Sequence, residues 1–120
     1  MSNYKKILIV DDDSTIRSLL EDLLDVSDFE TYSVDSAEQA LSMLKIKPFD
    51  IVITDHEMDG MDGSQLAQLI KSLYPEIFVI GISGNQTSSH FLAAGADVFL
   101  AKPLNFNELL KVIINQQKTS

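Results

Sequence analysis

Four apolar runs in this chain each stop on a residue able to take part in phosphoryl chemistry. Ile7-Leu8-Ile9-Val10 runs into Asp11-Asp12-Asp13, and Ile51-Val52-Ile53-Thr54 into Asp55. Phe78-Val79-Ile80-Gly81-Ile82 delivers Ser83, and Val98-Phe99-Leu100-Ala101 delivers Lys102. If the runs are parallel strands of one sheet, all four endpoints share its C-terminal edge, where open α/β sheets bind ligands. Acids, a hydroxyl and an amine gathered there describe a site for a cation and a phosphate.

Asp11, Asp12 and Asp55 form the sharpest group. Two carboxylates about 4 Å apart repel by roughly 4 kcal/mol at an effective dielectric near 20. Apolar flanks add a desolvation cost, so protons or a cation must compensate. Oxygen ligands with no Cys fit Mg²⁺ or Mn²⁺. Asp13 reads as a helix cap, a role that does not suit Asp55 at the end of a buried strand. Lys102 is expected to pair with these acids, and its ammonium can neutralise transferring phosphoryl oxygens. The Ser83 hydroxyl can donate to such an oxygen.

Other residues carry less chemistry. His56 and His90 read as surface or boundary residues rather than metal ligands or bases. Met58 and Met61 read as adaptable filler beneath the site. Gly60, Gly63 and Gly84 read as glycines placed for backbone conformation. No G-x-G-x-x-G or Walker-type lysine motif is present, so nucleotide binding has no support.

The elements that must position these endpoints alternate between two periods. Lys6 to Val10 reads as a doubly buried strand. Ile16, Leu19, Leu20, Leu23 and Leu24 then fall at helical spacing behind Asp13 or Ser14 as cap. Glu30 to Val34 reads as an edge strand. Ser36-Ala37-Glu38-Gln39 has a capping-box pattern and opens a helix with Ala37, Ala40, Leu41 and Leu44 on one face, stopped by Pro48. Asp50 to Thr54 is a third strand. A helix with Leu66, Leu69, Ile70 and Leu73 on one stripe follows, then a strand over Ile77 to Ser83. Ser88 to Ala94 predicts a short helix closed by Gly95, and Asp97 to Ala101 a fifth strand. Asn105 to Glu108 opens a last helix with Phe106, Leu109, Leu110 and Ile113 inward. Strands separated by single helices are parallel, with right-handed crossovers and helices on both faces: a doubly wound α/β domain.

Composition agrees. With 120 residues, 45% hydrophobic, the chain fits one domain over residues 1–120, able to bury roughly two-thirds of its unfolded surface. A net charge of -9, from 18 acids against 9 Lys and Arg, argues against binding nucleic acid or an anionic membrane. The absence of Cys removes disulfides and thiolate metal sites. The first residues lack the apolar stretch of a signal peptide or span, so a soluble cytoplasmic domain is expected.

The motifs Ile7-Leu8-Ile9-Val10-Asp11-Asp12-Asp13, Asp50-Ile51-Val52-Ile53-Thr54-Asp55 with Met58-Asp59-Gly60-Met61-Asp62-Gly63, and Gly95-Ala96-Asp97-Val98-Phe99-Leu100-Ala101-Lys102-Pro103 resemble the receiver domain of two-component response regulators over almost the whole chain. The resemblance implies a flavodoxin-like (βα)5 sandwich with strand order 2-1-3-4-5. It implies Asp55 as phosphoacceptor, taking its phosphoryl group from a phosphohistidine on a sensor histidine kinase or phosphotransfer protein and signalling to a downstream effector. It further implies Mg²⁺ held by Asp11, Asp12, Asp55 and the backbone carbonyl of Glu57. Ser83 would be the switch hydroxyl, Phe99 the aromatic that turns inward with it, and Lys102 the phosphoryl contact before a cis bond to Pro103.

Three features depart from the family pattern. Asp59 stands where Pro is frequent, Glu57 and Asn85 occupy positions that tune phosphoryl lifetime, and the interval from Ser83 to Lys102 is about one helical turn short. A short or irregular fourth helix is therefore expected. The competing readings are a small Mg²⁺-dependent phosphohydrolase using an aspartyl phosphate, and a flavin carrier. The flavin carrier would need a hydroxyl- and glycine-rich loop where three aspartates stand.

Overall fold

A computed structural model describes residues 5–27, 29–84 and 88–118. In chain order the elements are β1 (Lys6–Val10), α1 (Ser14–Val26), β2 (Glu30–Val34), α2 (Ala37–Ile46) and β3 (Ile51–Asp55). They continue as α3 (Gly63–Leu73), β4 (Phe78–Ser83), α4 (Ser88–Ala93), β5 (Val98–Ala101) and α5 (Phe106–Lys118). The five strands pair in parallel in the order β2-β1-β3-β4-β5, the expected flavodoxin-like arrangement.

Because side chains alternate across a strand, each buried run splits between two cores. Leu8, Val10, Val52 and Val79 pack against α2, α3 and α4 through Ala37, Ala40, Leu44, Leu66, Ile70 and Phe91. Ile7, Ile9, Ile51, Ile53, Ile80 and Ile82 pack against α1 and α5 through Leu20, Leu24, Leu109 and Ile113. A fully buried Ile or Leu contributes about 1.5–3 kcal/mol, so the continuous Ile/Val character of β1 and β3 reflects two-sided burial.

Helix starts follow local chemistry. Asp13 caps α1 by accepting from the N–H groups of Thr15 and Ile16. Ser36 caps α2 by accepting from Gln39 N–H, but the Gln39 side chain reaches the N–H of Asp35 rather than that of Ser36, so the expected box is offset by one residue. The full reciprocal box is at α3, between Asp62 and Gln65, and α5 is capped by Asn105 accepting from Glu108 N–H. The expected short fourth helix is present as the six residues of α4, after which Gly95 adopts φ +98°. Asn85 lies outside the described residues.

Several packing expectations are corrected. In α3 the buried face is Gly63, Leu66, Ala67 and Ile70, while Leu69 and Leu73 are exposed, Leu73 by 60%. Small Gly63 and Ala67 let α3 sit close to the sheet and leave Leu69 and Leu73 facing outward. Phe106, expected inward, is 39% exposed. It stands at the start of α5 beside Leu19, Pro103 and Leu104, around an apolar cavity of about 230 Å³.

Three strands begin one residue later than expected, two of them for the same reason. The Asp50 carboxylate accepts from Lys6 N–H at 2.9 Å, just ahead of β3. The Asp97 carboxylate accepts from Val79 N–H at 2.8 Å, just ahead of β5. In each case an acidic side chain occupies the entrance to the ladder. β4 likewise starts at Phe78 rather than Ile77.

Candidate functional site

The sheet register brings the chemical endpoints into one row. Val10 pairs with Thr54, Asp55 with Ile82, and Ser83 with Ala101. Asp11 therefore leaves β1 beside the end of β3, and Lys102 leaves β5 beside the end of β4, its N–H donating to the Ser83 carbonyl at 2.9 Å.

Carboxylate oxygens of Asp11, Asp12 and Asp55 lie within 4.8 Å of one another. Asp55 is only 6% exposed and Asp11 5%, whereas Asp12 faces solvent. One Asp11 oxygen accepts from Asp13 N–H at 2.9 Å, and its backbone carbonyl accepts from the Arg17 guanidinium at 2.7 Å. Burial pushes the Asp11 carboxyl up from 3.8 to about 6, and the negative charges of Asp55 and Asp12 add to the rise, against the Asp13 N–H and Lys102.

Lys102 supplies the positive charge. Its Nζ lies 2.9 Å from Asp55 Oδ1. Burial disfavours the ammonium, but the hydrogen bond to Asp55 and the charges of Asp55, Asp11 and Glu57 outweigh it, raising its pKa. Among the described residues, the Lys102 ammonium and the Arg17 guanidinium stand against Asp11, Asp12, Asp55 and Glu57, leaving net negative charge in a partly desolvated place. An oxygen donor set with that surplus suits a hard divalent cation such as Mg²⁺ or Mn²⁺. The residues present thus fit the ion inferred from the sequence.

Around the mouth, Asp12, His56, Glu57, Met58, Asp59 and Asp62 line an open cleft of about 380 Å³. Met58 and Met61 are half-buried against the α2–α4 core, as expected. Gly60 adopts φ +78°, a conformation other residues resist. Gly63 and Gly84, expected to serve the same purpose, show no positive φ. Instead Gly63 gives room, since a Cβ there would collide with the Asp55 carbonyl oxygen, and a Cβ on Gly84 would meet the Lys102 stem. The loop closes where Gly63 N–H donates to the His56 carbonyl at 2.9 Å. The peptide bond between Lys102 and Pro103 is cis.

Ser83 is 2% exposed at the end of β4. By the strand period it shares a face with Val79 and Gly81, the face that also carries half-buried Phe99 opposite Gly81. All seven residues singled out from the sequence therefore lie at or beside one sheet edge, with Phe99 a step further along β5.

One buried residue beside the site escaped the sequence reading. Phe91 of α4 is fully buried and fills the notch left by Gly81, where a Cβ would lie 2.6 Å from its ring. Its ring meets Phe99 at 6.1 Å and His56 at 5.3 Å between centroids. A glycine within a strand is a recognised sign of close approach, so Gly81 was the available signal. His56 and His90, read as boundary or surface residues, are half-buried and exposed respectively, with ring centroids 5.9 Å apart.

Comparison with known proteins follows the same lines. Residues 7–114 match the family described as response regulator receiver domain. Response regulator protein FleR of Pseudomonas aeruginosa is 38% identical over 111 residues, 90% of this chain and 24% of that protein. Heme response regulator HssR of Staphylococcus aureus strain Newman is 32% identical over 105 residues, 86% of this chain and 47% of that protein. The chain thus spans 24% and 47% of the lengths of these two relatives. A CheY-like receiver domain protein from Methanospirillum hungatei superposes with a TM-score of 0.90 at 29% identity, covering 98% of this chain and 100% of that one. Chemotaxis response regulator CheY4 of Vibrio cholerae gives 0.87 at 25%, covering 95% and 99%.

Proposed function

The chain belongs to the response regulator receiver domain family, and we propose that its switch chemistry runs through Asp55. Response regulators are signalling proteins that work with histidine kinases and downstream effectors. In this reading residues 1–120 act as one phosphoacceptor unit in the cytoplasm. The donor is a phosphohistidine on a sensor kinase or phosphotransfer protein, and the output is an altered surface for an effector. The rival reading, a phosphohydrolase, is not favoured by family membership.

A carboxylate oxygen of Asp55 attacks the phosphorus, the P–N bond breaks, and the imidazole leaves on the donor and recovers a proton. Such loosely bonded transfer depends on alignment and charge neutralisation. Lys102, already 2.9 Å from Asp55, is placed to neutralise the phosphoryl oxygens. Asp11, Asp12, Asp55 and the backbone carbonyl of Glu57 would hold Mg²⁺ or Mn²⁺, which supplies the remaining positive charge. Ser83 would then hydrogen-bond a phosphoryl oxygen, and Phe99 would turn inward as Ser83 shifts. The protein acts on its own acceptor rather than on an outside substrate.

The observation that carries this reading is a buried Asp55 ion-paired to Lys102 within reach of Asp11 and Asp12. Intact mass after incubation with acetyl phosphate tests it. One phosphoryl adduct is expected with Mg²⁺, reduced without it and absent in Asp55→Asn. A folded wild-type chain that gains no adduct, or an Asp55→Asn variant that gains the same one, overturns it.

A further inference from the structure

The chain contains two histidines, 34 positions apart in sequence, at the end of β3 and in α4. The fold sets their rings 5.9 Å apart at an interplanar angle of 32°. Both nitrogens of His56 are sheltered from solvent, and neither has a hydrogen-bond partner among the described residues. An imidazole carries two polar nitrogens that buried sites ordinarily satisfy. Ser64 Oγ shares that condition, and the three orphan atoms belong to residues lining one cleft. That cleft, about 410 Å³, is walled by His56, Asp62, Ser64, Gln65, Gln68 and His90, with Ala93 and Ala94 at its edge. Phe91 packs its ring edge-on against His56 and so restrains the imidazole.

We propose that His56 and His90 form a second cation site, for a borderline divalent metal of the Zn²⁺ class, beside the carboxylate cluster and separate from it. Zn–N bonds of about 2.0–2.1 Å in tetrahedral geometry put the centroids of two imidazoles on one ion roughly 5 Å apart, so rings 5.9 Å apart reach it by a small side-chain rotation. Imidazole selects Zn²⁺, Ni²⁺ or Cu²⁺ over Mg²⁺, so the two sites sort cations by ligand type. The surroundings favour a cation over an anion. Asp62 lines this cleft, one of its oxygens held by Gln65 N–H, and the adjoining cleft adds Glu57 and Asp59. Water completes the coordination. An ion there ties the end of β3, one residue past Asp55, to α4.

The test is Zn²⁺ binding to the full chain, by competition with a chelating indicator, in excess Mg²⁺ to occupy the acidic cluster. One Zn²⁺ per chain is expected, retained in Asp12→Asn. Changes outside a metal's own ligands already weaken sites roughly 10–100-fold, so His90→Gln and His56→Gln should each weaken binding by at least about tenfold. His90 is exposed, so its variant keeps the fold. In the wild type, NMR signals of both imidazoles should move with the first equivalent. Absence of binding, unchanged affinity in His90→Gln, or loss of the ion in Asp12→Asn with both histidine variants unaffected overturns the proposal.

Discussion

The ring of Phe91 occupies the space where any residue but glycine at position 81 would place its Cβ, 2.6 Å from the nearest ring atoms. Gly81 sits within β4, opposite Phe99 on β5, and Phe91 is fully buried on the inward face of α4. A helix of six residues has little cooperative stability of its own, so this knob in a notch is its main anchor to the sheet. Overpacking by Gly81→Ala should cost about 1–3 kcal/mol, and Phe91→Ala about 3–5 kcal/mol through the cavity it leaves. The double variant should lose less than the sum, because the added methyl enters the space the ring vacates. Urea denaturation of the four proteins measures this coupling, and strict additivity would contradict the anchor.

The Asp97 carboxylate has two unequal roles. It accepts from the buried Val79 N–H at 2.8 Å and pairs with the partly exposed Lys71 ammonium at 3.0 Å. An exposed ion pair contributes about 0–1 kcal/mol, whereas leaving a buried donor unmet costs about 1–3 kcal/mol. Asp97→Ala should therefore destabilise clearly more than removal of the Lys71 charge by Lys71→Met, which keeps most of the stem. Thermal melts of both variants decide it. Equal losses would show that the Lys71 ammonium, which also donates to the Ile77 carbonyl at 2.8 Å, matters as much as the Val79 contact.

The strand ends carrying Asp11, Asp55, Ser83 and Lys102 were readable because doubly buried strands appear as short Ile/Val runs, and parallel register aligns their exits. The strand ending on Asp55 needs no tertiary information to announce itself. Asp50 and Asp97 are different, since a side chain that accepts from a neighbouring strand's N–H leaves no periodic trace. Leu69 and Leu73 share a helical stripe with Leu66 and Ile70, yet which edge faces the sheet depends on the small surfaces of Gly63 and Ala67. The meeting of His56, His90 and Phe91 needs the strand order and the position of α4, neither of which local pattern supplies.

Asp11 makes stability and cation binding depend on pH in opposite directions. Burial, helped by the charges of Asp55 and Asp12, raises its pKa from 3.8 to about 6. Below 3.8 the carboxyl is protonated folded or unfolded, and between 3.8 and 6 only the folded chain keeps the proton. Its contribution is therefore fully present below the unfolded value and is lost as pH rises through about 6. At about 1.36 kcal/mol per unit, the loss is about 3 kcal/mol. A divalent cation requires the ionised form, so the proton competes with it. In EDTA the wild type should lose stability between pH 4 and 7 relative to Asp11→Asn. Stabilisation by saturating Mg²⁺ should be slight at pH 5 and larger at pH 7, and smaller in the variant. Melting temperatures of both proteins across that range, with EDTA and with Mg²⁺, check the sign. Parallel pH profiles in EDTA would remove Asp11 as the titrating group.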